Sequence, residues 1–76
     1  MYENILIISE HNAYFTKPTE VKNTFSIPLK KVPLELDTMV KVYNNDFFIY
    51  TMNDIIQYVI NNNLTDEATI NMLRNP

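Results

Sequence analysis

The stretch MVKVYNNDFFIYTMNDIIQYVI, residues 39–60, decides how this chain reads. Its first half alternates in the manner of β-strands, and its second half repeats with helical spacing. Asparagine reaches positive φ more readily than any residue except glycine, so Asn44-Asn45 suits a two-residue hairpin turn. With that loop, Val42 faces Phe47 and Val40 faces Ile49, and paired residues share a face of the ladder. One face of the predicted 39–50 hairpin is then apolar throughout. The other holds Met39, Lys41, Tyr43, Asp46, Phe48 and Tyr50. From Thr51 onward the period changes. Thr51 and Asp54 stand three residues apart, the spacing of a capping box. Met52, Ile55, Ile56, Val59 and Ile60 follow as one apolar stripe.

Downstream, Asn61-Asn62-Asn63 ends that helix, with asparagine in the left-handed role usually taken by glycine. Leu64 packs back, and Thr65 is expected to cap a second helix. Asp66 and Glu67 lie in its first turn and Arg74 near its end, as the helix dipole favours. Upstream, 4–9 reads as an Ile-rich strand apolar on both faces, hence buried on both. Glu10-His11-Asn12 is a polar turn leading to a partner strand over 13–16. Residues 18–23 form a loop, and 24–27 a third short strand. Pro28 and Pro33 flank an edge or irregular segment, since proline gives no N–H to a ladder. Leu34 and Leu36 alternate with Glu35 and Asp37, as in a half-exposed extended segment. The predicted architecture is a single α+β domain over 1–76. A small antiparallel sheet of four or five short strands comes first, and two short C-terminal helices follow and cover one of its faces.

Composition sets limits on function. The 76 residues contain no glycine and no cysteine. Phosphate loops, dinucleotide fingerprints and nucleophile elbows require glycine at close backbone approaches, so none is present. A disulfide framework and thiolate metal sites are excluded as well. Hydrophobic residues make up 46% of the chain, too many for a disordered segment. The longest clean apolar run, Ile5 to Ile8, is far short of a membrane span. Met1-Tyr2-Glu3 lacks the positive start of a secretory signal. A cytoplasmic protein is expected, in the host cytoplasm if phage-encoded. Asn, Ile, Lys, Tyr and Phe use A/T-rich codons and dominate here, which suits a low-GC bacterium or its phages.

Little in the chain points to catalysis. The one histidine, His11, sits beside Glu10 in a predicted turn. The serines are Ser9 and Ser26, and Ser9 lies on an apolar strand, so a nucleophile–base pair is not indicated. Glu35 and Asp37 could share a strand face as a carboxylate pair. The bland reading, a solvated edge, explains them as well. No enzyme, no cofactor and no metal are expected.

Two binding readings remain. The first is a protein-binding surface on the aromatic side of the hairpin. It comprises Met39, Tyr43, Asn44, Asn45, Asp46, Phe48 and Tyr50. Aromatic residues and methionine are enriched at interface centres, and two helices leave one sheet face without cover. The alternative cover for that face is the 30–37 segment. The second reading is a nucleic-acid surface built on Lys17, Lys22, Lys30 and Lys31, with Tyr14, Phe15 and Phe25 nearby in sequence. Residues 1–31 carry +1 and residues 32–76 carry −4, so charge is polarised along the chain. The total of −3 weighs against phosphate binding. The leading expectation is a small phage or mobile-element product. It would bind and inhibit a host protein by steric occlusion, as anti-defence proteins such as inhibitors of CRISPR nucleases do. That analogy rests on size and charge. A homodimer, a nucleic-acid-binding regulator and a structural part of a larger assembly are the other readings.

Overall fold

Strand β1 (Asn4–Ser9) is the middle of the sheet, because it alone is apolar toward both sides. The computed structural model describes residues 2–10, 12–44 and 50–75. Strand β2 (Asn12–Thr16) pairs antiparallel with β1 from Ser9↔Asn12 to Ile5↔Thr16, and β3 (Phe25–Leu29) from Asn4↔Leu29 to Ile8↔Phe25. The order is β2–β1–β3. The α+β class holds, with three strands and three helices among the described residues.

Helix α1 (Leu34–Asn44) overturns the expected strand over 39–43 and the extended reading of 34–37. The reason is a period misread in short windows. Val40-Lys41-Val42 alternates over three residues. Over eleven, Leu36, Met39 and Val40 form an i, i+3, i+4 stripe, and all three are buried. The helix start signals were in the chain as well. The Pro33 carbonyl accepts the first turn bond from Asp37 N–H at 3.0 Å. Glu35 and Asp37 lie in the first turn and Lys41 in the last. Asp37 and Lys41 pair at 2.9 Å across one turn, and the Thr38 hydroxyl bonds back to the Leu34 carbonyl. Of the hairpin's expected second strand, 47–50, residues 47–49 lie outside the described residues and Tyr50 is in a bend, not a strand.

Helix α2 (Met52–Asn61) forms as its pattern requires. The Thr51 side chain accepts from Asp54 N–H, and the Asp54 carboxylate accepts from Thr51 N–H, both at 3.2 Å. Such a cap is worth about 1 kcal/mol. Its other end closes in a Schellman turn. Leu64 N–H reaches the Val59 carbonyl at 3.1 Å, and Asn63 N–H reaches that of Ile60 at 3.2 Å. Asn63 takes φ 52°, the left-handed conformation, in a chain without glycine. Asn23 does the same at φ 47°. Leu64 then packs into the core.

Helix α3 (Glu67–Arg74) is capped by Asp66, and Thr65 is not its cap. Asp66 Oδ1 accepts from Thr69 N–H at 2.8 Å. Thr65 is 0% exposed, so its side chain has turned inward.

Helices α1 and α2 cover the sheet face that carries Leu6, Ala13, Ile27 and Leu29. These residues form one core with Leu36, Met39, Val40, Ile55, Val59 and Leu64. The opposite face is closed too, since Ile7 on it is 1% exposed. The 30–37 segment does not supply that cover, because α1 joins the helical side. β2 and β3 run parallel to each other on either side of β1. The 17–24 connection must therefore return the length of the sheet, and the helical face is already filled. A single 3-10 turn over Pro18–Glu20 lies within it, and the Thr16 hydroxyl bonds the Glu20 carboxylate. Among the described residues no helix is long and apolar enough to cross a membrane.

Candidate protein-binding surface

Both edges of the sheet are blunted against strand addition, and that decides how a partner could dock. Ala13 N–H donates to Asn44 Oδ1 at 2.8 Å, so its backbone points away from β1. In an antiparallel ladder the bonded side alternates from residue to residue. Ile8, which is opposite Ala13, therefore turns its N–H and C=O toward β3, and Phe25, Ile27 and Leu29 turn theirs back. Ser26 and Pro28 are left facing outward. Proline has no N–H, so Pro28 removes a donor from the open edge of β3. The same placement explains how a strand can run through Pro28 to Leu29, beyond its expected end at 27.

Alongside the β3 edge runs an apolar groove of about 470 Å³. One wall is Phe25, Ser26 and Pro28 of β3. The other is Thr69, Met72 and Leu73 of α3, and Ile56 of α2 completes the lining. Phe25 is 48% exposed and Met72 is 71% exposed, although both are large and apolar. On the far flank of α3 lies a polar hollow of about 550 Å³ bounded by Lys30, Asn63, Glu67, Asn71 and Arg74. It carries charges of both signs and so does not select an anion.

Helix α3 is placed by polar contacts at its start. Asp66 Oδ2 accepts from the Tyr2 hydroxyl at 2.9 Å, across 64 residues of chain. Bonds from Thr69 come first, then those from Tyr2 and the charge of Lys30. Together they hold the Asp66 carboxyl below the usual carboxylate range. The same bond raises the Tyr2 phenol, because ionising it would remove the donor and set two anions side by side. Tyr58 is also raised, by desolvation first and then by Glu35, whose carboxylate it meets at a long 3.4 Å. Lys30 N–H bonds the Leu64 carbonyl at 2.7 Å and ties the end of β3 to the turn before α3.

Of the residues expected to form the binding face, the four that are described are not brought together on a sheet surface. Met39 is 4% exposed and sits in the core. Tyr43 and Tyr50 are half-buried and pack against that core. Asn44 is exposed and uses its side chain to cover the β2 edge. Asn45, Asp46 and Phe48 lie outside the described residues, as does His11 of the Glu10-His11 pair. The lysines are all exposed but do not form one stripe. Lys17 and Lys30-Lys31 follow β2 and β3 at the same end of the sheet, with β1 between them. Lys22 precedes Phe25, at the opposite end. Glu35 and Asp37 are first-turn residues of α1, so the dipole and Lys41 account for them.

Met72 is not expected at the surface from its place among the apolar members of its helix, and Phe25 is expected there only as an aromatic beside the lysines. For Met72 the signal was in the chain. At 3.6 residues per turn, Met72 stands about 200° from Ile70, so the two cannot face one core. Ile70 is buried and Met72 is outside. Phe25 gives no such signal, because its exposure depends on its being on an edge strand. No family model matches the chain, and comparison with curated proteins and with solved structures gives no match.

Proposed function

We propose that this chain is a small non-catalytic protein-binding module that receives its partner in the groove between β3 and α3. One observation carries the reading: Phe25 and Met72, both large, apolar and exposed, stand on opposite walls of a groove lined by Ile56, Leu73 and Pro28. Exposed apolar surface around a concave site is where partners gain most from burial. The blunted β3 edge supports docking by side chains and disfavours an added strand. The partner class that composition and size point to is a host protein met by a phage or mobile-element product. The outcome would be inhibition by steric occlusion.

The test is capture from nuclease-treated host lysate by the wild-type chain and by Phe25→Ser and Met72→Ser. Each variant is first checked for native circular dichroism. Loss of a saturable partner at least ten-fold in both variants is the expected result. Undiminished capture by both removes the groove from the interface. Light scattering of the isolated protein tells whether a second copy is the occupant. In a parallel capture from lysate without nuclease, recovery of nucleic acid that is lost on adding salt would favour the lysines instead.

A further inference from the structure

We propose that the Tyr2–Asp66 hydrogen bond is a latch that holds α3 against the sheet edge and so sets the width of the groove. The argument is mechanical. Helix α3 has eight residues, too few to stand as a helix without tertiary support. Its apolar hold is thin, since Ile70 is its buried residue and Leu73 is half-buried. Its far end, Arg74 and Asn75, is exposed. Its near end is pinned. Leu64 and Thr65 are buried, and Lys30 N–H holds the Leu64 carbonyl at 2.7 Å, which gives a fixed pivot. Between pivot and free end stands Asp66. One oxygen of its carboxylate caps α3 through Thr69 N–H, and the other accepts from Tyr2, ahead of β1. A single side chain thus completes the helix and fastens it to a distant part of the chain. Thr69, Met72 and Leu73 form one wall of the groove, so any swing of α3 about the Leu64 pivot opens or narrows it. Elements with few buried apolar contacts open locally at low free energy, and one bond then shifts the open population measurably.

This inference does not require a partner, and its test uses the isolated full chain. Amide hydrogen exchange is followed for residues 69–74 in the wild type, Tyr2→Phe and Asp66→Ser. Serine keeps one capping oxygen for Thr69 N–H while removing the second, charged oxygen that Tyr2 uses. Exchange in α3 is expected to quicken about five-fold in both variants, with β1 and α2 unchanged. Adding Tyr2→Phe to Asp66→Ser should give no further increase. Fluorescence of anilinonaphthalene sulfonate, a probe of exposed apolar surface, should rise in step. Unchanged α3 exchange in Tyr2→Phe overturns the latch. So does an equal acceleration in β1, α2 and α3, which means that α3 has no separate opening. Quickened α3 exchange together with partner capture that ignores both Phe25→Ser and Met72→Ser would leave the latch standing and remove the docking reading alone.

Discussion

At the scale of residues, Thr65 and Asp66 exchange the roles that their identities suggest. Threonine is a good N-cap, and Thr65-Asp66-Glu67 invites that assignment. The structure gives the cap to Asp66 and buries Thr65 completely. Two demands select Asp66. Its carboxylate offers two acceptors, which satisfy Thr69 N–H and the Tyr2 hydroxyl together; a hydroxyl group would have to serve both through one oxygen. Thr65, one residue nearer the pivot, fits the core by size. Its hydroxyl finds no hydrogen-bond partner among the described residues. The expected outcome for Thr65→Val is therefore a gain of about 1 kcal/mol, because the isosteric methyl needs no partner. Urea titration measures it, and a loss of similar size would restore Thr65 as the cap.

At the scale of elements, α1 is the main lesson. Its sequence alternates over three residues and carries the helical period over eleven. The longer stripe of Leu36, Met39 and Val40 and the charges at both helix ends were present in the chain. They outweigh a three-residue alternation because a helix of eleven residues gains from all of them together. β1, α2 and the Asn63 turn were legible, because one strong local signal governs each. In β1 it is an apolar run on both faces, in α2 a capping box with a continuous stripe, and in the turn an asparagine followed by Leu64. The sheet edges were only half legible. Pro28 marked an edge, but not which side of β3 its missing N–H would face. Replacing it with valine would put a donor on the open side beside an exposed Phe25. Pro28→Val is expected to remain folded and to self-associate, seen as a concentration-dependent rise in mass by sedimentation velocity. A strictly monomeric variant would mean that the edge is shielded by something other than the proline.

At the scale of the whole molecule, one small core carries the stability. Leu6 is fully buried at the centre of the middle strand, against residues from both other strands and from α1 and α2. A domain of this length is stable by roughly 4–11 kcal/mol. Truncating a buried leucine costs about 2–5 kcal/mol. Leu6→Ala is therefore expected to lose about half of the total at the middle of both ranges and to melt well below wild type, by circular dichroism. A melting point within a few degrees of wild type would show that the core can close around the gap. The groove also belongs to this scale. Its walls come from residues 25–28 and 69–73, and its lining includes Ile56. No local window contains it.

The amino-acid sequence by itself determined the α+β class, the Ile-rich strand buried on both faces, the hairpin after it and the capped helix at 52–61. It also determined asparagine at the left-handed turn. Each of these is a matter of neighbours within a few residues, where period, capping and backbone freedom act. Tertiary structure decided the rest. It placed β1 between its neighbours, gave the α3 cap to Asp66 and left Phe25 outside on an edge strand. Those outcomes depend on which surfaces meet across the whole chain. Burial is worth about 25 cal/mol per Å² wherever it occurs, so the packing that closes the core overrules a local preference worth a few tenths of a kcal/mol.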